Sequence, residues 1–308
     1  MRNNLRFAGY FKFLEKIMLK ERLEEMFADL HMHSKASDGT NSPREVVRLA
    51  RAHGLSCIAL TDHDTVDGLQ EAIEASFELG IEVIPGIEFN CYYKDQEVHI
   101  LGYYIDYEDR GFVDKLEEMK KLRNDRARAI LKKLNDLGIK ITIEDVLEFT
   151  SEKFIGRPHI ARAMVKKNYV ESVKEAFEKY IGVGGPAYVE GYRITPMEAI
   201  DLILENGGVP VLAHPGLLSD DSVIEELVKR NLVGIEVFHS KHTERDVEKY
   251  YEKAKQYNLI ITGGSDFHGI EVDGRDLLGT VKLDYKYVEI LKSKARNLDR
   301  NLKTYKLK

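Results

Sequence analysis

From residue 27 onward, apolar runs of strand length alternate with amphipathic stretches of helix length. FADLHMH is followed by SPREVVRLARAHG, where Ser42 is placed to cap a helix and Pro43 to open it. LSCIALTDHD, a helix from about Asp67 to Gly80, IEVIPGIEFN and EVHILGYYI come next. The rhythm returns later with TPMEAIDLILENGG, VPVLAHPG, DSVIEELVKRN, VGIEVFHS, TERDVEKYYEKAKQYN and LIITGGSDFHG. Such alternation predicts an α/β chain with a parallel sheet of about seven strands, open or closed into a barrel.

Between the two alternating parts the pattern changes. DKLEEMKKLRNDRARAILKKLNDLG, ITIEDVLEFT, GRPHIARAMVKKN and VKEAFEKYI are helical and highly charged. They predict a helical insertion domain at 110–191, which divides the sheet-bearing part into 27–109 and 192–308. Residues 1–26 carry charges too often for a signal-peptide core. They read either as a short amphipathic helix or as an over-extended gene start, since Met18 and Met26 both precede the first strand.

The net charge of −6 argues against a basic surface for long duplex DNA. It leaves room for a small anionic substrate in a local positive site. No run of eighteen apolar residues predicts a membrane span. Cys57 and Cys91 lie within apolar runs and read as small buried hydrophobes in a reducing, cytoplasmic compartment.

Polar residues recur at one kind of position. His31 and His33 end the first strand, His63 the second and Glu88 the third. His214 ends VPVLAHP, and Asp266 and His268 end LIITGGSDFH. In a parallel α/β fold these strand ends share one face. His99, in mid-strand, and Asp38, in the first loop, are placed to reach it. Imidazole and carboxylate without thiolate suit Mn, Fe or Zn. HMH and SDFH each point two donors to one side of a strand. Nine candidate ligands exceed the needs of one ion, so two or three ions are expected, with Glu88 bridging. Each residue alone has an ordinary structural reading: TDHD as a helix cap through Asp62 or Asp64, AHP as a turn. Repetition at strand ends favours metal. His53 reads as a helix-end histidine favoured by the dipole, His242 as solvent-facing, and His239 as a strand-end residue that can touch substrate.

DLHMHS, TDHDT, PGIE, a later histidine, AHP and SDFH, in that order, resemble the polymerase and histidinol phosphatase (PHP) family over nearly the whole chain from residue 27. The resemblance implies a distorted (β/α)7 TIM-like barrel with a di- or trinuclear metal site. It implies one metal on His31, His33, Glu88 and Asp266, a second on Glu88, His99 and His214, and a third on Asp38, His63 and His268. GRPHIARAMV, residues 156–165, resembles a motif of the branch acting on nucleotides and short RNA, the 3′,5′-nucleoside bisphosphate phosphatases and 5′→3′ exoribonucleases. There Arg157 would meet a phosphate through its planar fork, and His159 would make a second contact. On its own, GRPH reads as a loop with Pro158 opening a helix.

The expected reaction is in-line attack on phosphorus by a metal-bound hydroxide held by Glu88, Asp266 and His214. Its expected partners are phosphorylated small molecules, nucleotides or short single-stranded RNA. Histidinol-phosphate phosphatase and a non-catalytic metal-binding module are the alternatives.

Overall fold

The computed structural model describes residues 26–94, 96–150, 155–190, 194–269 and 274–306, with side chains through residue 298. The segment 1–25, on which the reading of an N-terminal extension falls, lies outside the described residues. Among the described residues the sheet has eight strands: β1 (Phe27–Asp29), β2 (Cys57–Leu60), β3 (Glu82–Tyr93), β4 (Gln96–Tyr103), β5 (Val209–Leu212), β6 (Gly234–His239), β7 (Ile260–Gly264) and β8 (Leu283–Asp284). Their spatial order is β7-β6-β5-β4-β3-β2-β1-β8. Leu30 N donates to Gly263 O at 3.1 Å, Asp266 N to His31 O at 2.9 Å and His33 N to Phe267 O at 2.9 Å. These bonds bring β7 back onto the chain that follows β1, so the sheet is a nearly closed, TIM-like barrel.

The expectation of a parallel sheet fails at β4 and at β8, which pairs antiparallel with β1. β1, β2 and β3 run parallel, as do β5, β6 and β7, but β4 is antiparallel to both neighbours. Only two positions separate Tyr93 from Gln96. A parallel return needs a crossover of a dozen or more residues, whereas two suffice for a hairpin. Lys94 takes the positive φ of 52° that such a turn demands. Glu88 therefore does not end a strand. It bridges to His63 at the barrel mouth while β3 continues beyond it as the hairpin.

Period-two alternation sorts the strand residues. Ile58 and Leu60 join one apolar cluster with the outer helices, while Cys57 and Ala59 join Ile84, Leu101, Val211 and Ala213 in another. The outer layer includes α1 (Pro43–Ala52), α2 (Leu69–Leu79), α7 (Pro196–Glu205), α8 (Val223–Lys229) and α9 (Glu244–Tyr257). α1 starts as its sequence predicts, with Ser42 and Glu45 in a capping box and Pro43 in the first turn. α10 (Tyr285–Lys306) packs Val288 and Leu291 with Ala28, Cys57 and Val209.

The charged middle of the chain forms α3 (Arg110–Asp136), α4 (Ile143–Leu147), α5 (Arg157–Lys166) and α6 (Val173–Ala176), which runs into a π-helical turn, Phe177–Ile181. These helices have their own core of Ile130, Leu134, Val146, Ile160, Met164 and Ile181. α3 belongs to both cores: Phe112, Leu116 and Met119 pack with the barrel cluster, and Ala127 to Leu134 with the helical one.

Barrel closure leaves no room at Gly264. A Cβ there would lie 2.3 Å from His31 Cβ and 2.4 Å from His31 N. Gly264→Ala is expected to destabilise the fold by about 1–3 kcal/mol through overpacking. Urea unfolding reads this directly, and an unchanged midpoint would contradict the close approach.

Candidate metal centre

Three buried carboxylates lay the floor of the site. Asp29 Oδ1 accepts from Ser265 N at 2.8 Å and His31 N at 3.3 Å, tying the exit of β1 to the exit of β7. Burial pushes its carboxyl up to about 7. Asp62 accepts from Ser34 N (2.7 Å), Ser34 Oγ (2.7 Å) and Ser37 Oγ (2.6 Å), which sets the loop carrying Asp38. Glu236 receives His31 Nδ1 at 3.2 Å and His214 N at 2.8 Å. TDHD is thus no helix cap. The cap position of α2 is Gly68, and Asp64 instead pairs with Arg123 of α3. Asp64 (φ 51°), His214 (φ 24°) and Asp266 (φ 58°) all hold left-handed backbone, strain that clusters at functional positions.

All nine residues expected as ligands converge. Glu88 is buried at the centre. Its Oε2 lies 3.1 Å from His31 Nε2, 3.2 Å from His33 Nε2 and 3.4 Å from His63 Nδ1. Its Oε1 lies 2.9 Å from His99 Nδ1 and 3.2 Å from His214 Nε2. Asp266 Oδ1 is 3.5 Å from His31 Nε2 and 3.3 Å from His33 Nε2. Asp38 reaches His268 Nε2 at 3.3 Å and His63 Nε2 at 3.9 Å. Donor groups able to hold an ion include His31, His33, Glu88 and Asp266, then His33, Asp38, His63 and His268, then His63, Glu88 and His99.

The first of these groups fits a divalent cation by its dimensions. Four donors about 2.1 Å from a tetrahedral cation stand about 3.4 Å apart. Four of the separations in this group are 3.1, 3.2, 3.3 and 3.5 Å. Both ring nitrogens of His33 and Nδ1 of His63 are buried without a well-directed hydrogen bond. A cation supplies the partner that burial otherwise denies them.

Electrostatics point the same way. Burial disfavours charge on His31, yet Glu88, Glu236 and Asp266 outweigh it and raise its pKa well above the usual value. Burial also opposes His33 and His99, but carboxylate contacts push each up to about 10. His63 goes the other way, to about 3, because burial dominates. Burial disfavours ionised Glu88, Asp266 and Asp38, but their imidazole neighbours hold all three well below the usual range. The carboxylates thus favour positive charge among the rings of His31, His33 and His99.

Three other expectations meet different geometry. His159 Nδ1 accepts from Gly156 N at 3.1 Å, so its buried ring caps α5 and lies off the cavity wall. His239 is buried behind Asp266, its Nε2 3.5 Å from Oδ2, and touches no open surface. His242 is half-buried rather than solvent-facing: Nδ1 donates to Val237 O at 2.8 Å and Nε2 accepts from Gly216 N at 3.1 Å. His53 sits at the end of α1, its Nδ1 2.9 Å from Leu49 O, as its sequence context suggests.

Arg157 does line a cavity of about 430 Å³ that joins the mouth, at Asp38, His63 and His99, to the helical wall. Arg123, Arg126, Tyr92, Phe177 and Tyr188 line it too. Sequence reading missed Glu236, Lys241, Arg123 and Glu97. Lys241 Nζ is 3.2 Å from Asp266 Oδ2, and Glu97 Oε1 is 3.6 Å from His99 Nε2. Glu236 had a signal, a lone carboxylate inside the apolar strand GIEVFH. The others are ordinary surface-type residues in sequence, and only the fold aims them.

Metal ligands must be neutral imidazoles, whereas His33 and His99 hold protons up to about pH 10. Loading with Mn²⁺ or Zn²⁺ is therefore expected to release protons near neutrality. Affinity should rise between about pH 6 and 8, roughly tenfold per unit for each proton displaced. Calorimetry in two buffers of unlike ionisation enthalpy counts those protons. A buffer-independent heat would refute the linkage.

The geometry has parallels among known proteins. The PHP domain model matches residues 29–201. A 3′,5′-nucleoside bisphosphate phosphatase of Chromobacterium violaceum is 33% identical, covering 81% of this chain and 90% of that one. A phosphoribosyl 1,2-cyclic phosphate 1,2-diphosphodiesterase of Eggerthella lenta is 32% identical (79% and 95% covered). A 5′-3′ exoribonuclease of Haemophilus influenzae is 34% identical (78% and 89% covered). A solved chain of Bifidobacterium adolescentis, put forward as a metal-dependent phosphoesterase, superposes with a TM-score of 0.78 at 31% identity, covering 87% of this chain and 96% of that one. The chain belongs to the PHP domain family, as a hydrolase of phosphate esters.

Proposed function

We propose that this hydrolase removes a phosphate from a nucleotide carrying a second phosphate, and that the helical segment 110–191 serves as the substrate cap over a barrel formed by 27–109 and 192–308. The observation that carries this reading is the cavity of about 430 Å³ between metal centre and helical wall. That volume lies in the range of small-molecule sites. Arg123, Arg126 and Arg157 line the same cavity as Asp38, His63 and His99, and planar forks of that kind pair with phosphate oxygens. Arg157 Cζ sits 5.3 Å from the Phe177 ring and Arg126 Cζ 5.7 Å from the Tyr188 ring. Such aromatic surfaces suit a nucleobase. Histidinol phosphate would leave both features without a partner.

His31, His33, Glu88 and Asp266 would hold one divalent ion, Glu88, His99 and His214 a second, and Asp38, His63 and His268 a third, from among Mn, Fe and Zn. Bound there, such ions supply Lewis acidity towards phosphoryl oxygen and acidity to water. The residues do the rest. Glu88 contributes both oxygens and so fixes the spacing within the centre. His63, with its pKa near 3, keeps a neutral ring at physiological pH. Arg157 and Arg126 neutralise the phosphate that is not cleaved. Lys241 reaches Asp266 Oδ2, the oxygen His239 also approaches, where a cationic group can offset charge on the leaving oxygen.

A second reading is stepwise 5′→3′ hydrolysis of short RNA, favoured by the likeness to the Haemophilus influenzae exoribonuclease. Among the described residues no helix is long and apolar enough to cross a membrane. The buried free thiols of Cys57 and Cys91 support the cytoplasm as the compartment.

The test is product analysis with Mn²⁺ on adenosine 3′,5′-bisphosphate and on a 5′-phosphorylated RNA of about five nucleotides. Phosphate from the bisphosphate alone is expected. Successive mononucleotides from the RNA would replace this reading with the second. His33→Ala should lose metal and activity together with an unchanged circular dichroism spectrum, and full activity without metal would sink the metal mechanism. Arg157→Ala is expected to lower kcat/KM for the bisphosphate about 10–100-fold, the worth of a charge-assisted phosphate contact. Turnover of a simple aryl phosphate should be unchanged; equal losses on both substrates would remove Arg157 from phosphate recognition.

A further inference from the structure

We infer that Glu236 is a positioning residue that aims His31 and His214 at the metal centre from behind. The inference rests on reading the cluster as a metal centre and adds a residue that ligand spacing does not reveal. Glu236 is fully buried on β6. Its neighbours Ile235 and Val237 join the outer apolar cluster, so the alternation of a strand turns Glu236 to the barrel interior.

Both of its oxygens are occupied. Oε1 lies 3.2 Å from His31 Nδ1, and Oε2 receives the backbone N–H of His214 at 2.8 Å. A neutral His31 must then donate Nδ1–H to Glu236. Its Nε2 lone pair is left facing Glu88 Oε2 at 3.1 Å and Asp266 Oδ1 at 3.5 Å. A lone pair does not sit stably between two carboxylate oxygens unless a metal ion, or a second proton on the ring, stands among them. The second contact does different work. His214 holds a backbone of φ 24° and ψ 57°, which a non-glycine residue keeps only when its surroundings enforce it. The bond from its N–H to Glu236 anchors that backbone, and the ring then reaches Glu88 Oε1 at 3.2 Å. One carboxylate on β6 thus sets the donors leaving β1 and β5.

Glu236 also forms a donor group with His31 and His239 that could itself hold an ion. Coordination there would displace the contact between His31 Nδ1 and Glu236. It would also need His31 bound through both nitrogens, an imidazolate. The positioning role needs neither.

The probe is Co²⁺, titrated into metal-free protein in competition with a chelator, with its visible spectrum recorded. Wild-type protein that binds no Co²⁺ would overturn the metal-centre reading and this inference with it. Given wild-type binding, Glu236→Gln is expected to keep the stoichiometry, weaken affinity about 10–100-fold and change the spectrum. Glu236→Asp should recover part of the loss. Unchanged affinity and spectrum in Glu236→Gln would overturn the positioning role while leaving the metal centre intact. Loss of one whole equivalent would make Glu236 a ligand and overturn it equally. A measurement independent of the variants' folding is ¹⁵N NMR of histidine-labelled, Zn²⁺-loaded wild type. His31 should show a protonated Nδ1 and a metal-shifted Nε2, and the reverse assignment would refute the inference.

Discussion

The buried carboxylate of Glu88 is the constraint around which the mouth of the barrel is arranged. A carboxylate removed from water costs several kcal/mol unless charge and hydrogen bonds replace its hydration. Five imidazoles from four segments surround it within 2.9 to 3.4 Å. Neutral rings cannot compensate it, and protonated rings crowd one another: His33 and His268 stack with centroids 4.1 Å apart. Cations relieve both problems at once. They neutralise the carboxylates and let the rings stay uncharged. The strained backbones of His214 and Asp266 are tolerable in this light, since each delivers a donor to a point where that charge is needed.

The hairpin of β3 and β4 is what makes Glu88 central. Were β4 parallel, its entry would follow a crossover and His99 would lie elsewhere. The tight return places His99 opposite Asn90, two positions beyond Glu88, so its ring folds back onto Oε1. The same hairpin projects past the mouth, and Tyr92 and Glu97 on it become cavity wall. One two-residue turn thereby serves the chemistry and the enclosure together.

Much of this was legible in the sequence because strand ends in an α/β chain carry their meaning locally. HMH, TDHD, AHP and SDFH each show polar donors where an apolar run stops, and the fold rule supplies the convergence. The direction of β4 was legible in principle, for YYKDQEV has no space for a crossover, but helix–strand rhythm taken alone hides an inverted strand. His159 could not be placed from its motif: GRPH has a histidine three residues after a glycine at a helix start, and only the structure shows Nδ1 turned back to cap that turn. His239 ends a strand like the ligands, yet closure puts it behind Asp266 instead of in front. Residues whose role depends on which side of a neighbour they fall are invisible to a pattern of positions.

On the proposed reading, the helical wall would decide among substrates that the metal centre alone treats alike. Relatives named as a bisphosphate phosphatase, a cyclic diphosphodiesterase and an exoribonuclease are similar to this chain at 32 to 34% identity, so likeness does not rank them. Attack on phosphorus asks the same of the centre in all three cases. What differs is how much substrate fits beyond it and which charges meet the remainder. Here that wall is tied to the mouth by specific contacts. Arg123 of α3 pairs with Asp64 beside His63, and Arg162 of α5 donates to Asp38 O at 3.2 Å. α3 also packs into both cores, which makes it a strut between wall and barrel. Cavity-lining residues such as Arg157 and Arg126, proposed to meet substrate, could therefore be exchanged on a wall whose distance from the mouth is held by others, and the same centre would then meet a different substrate.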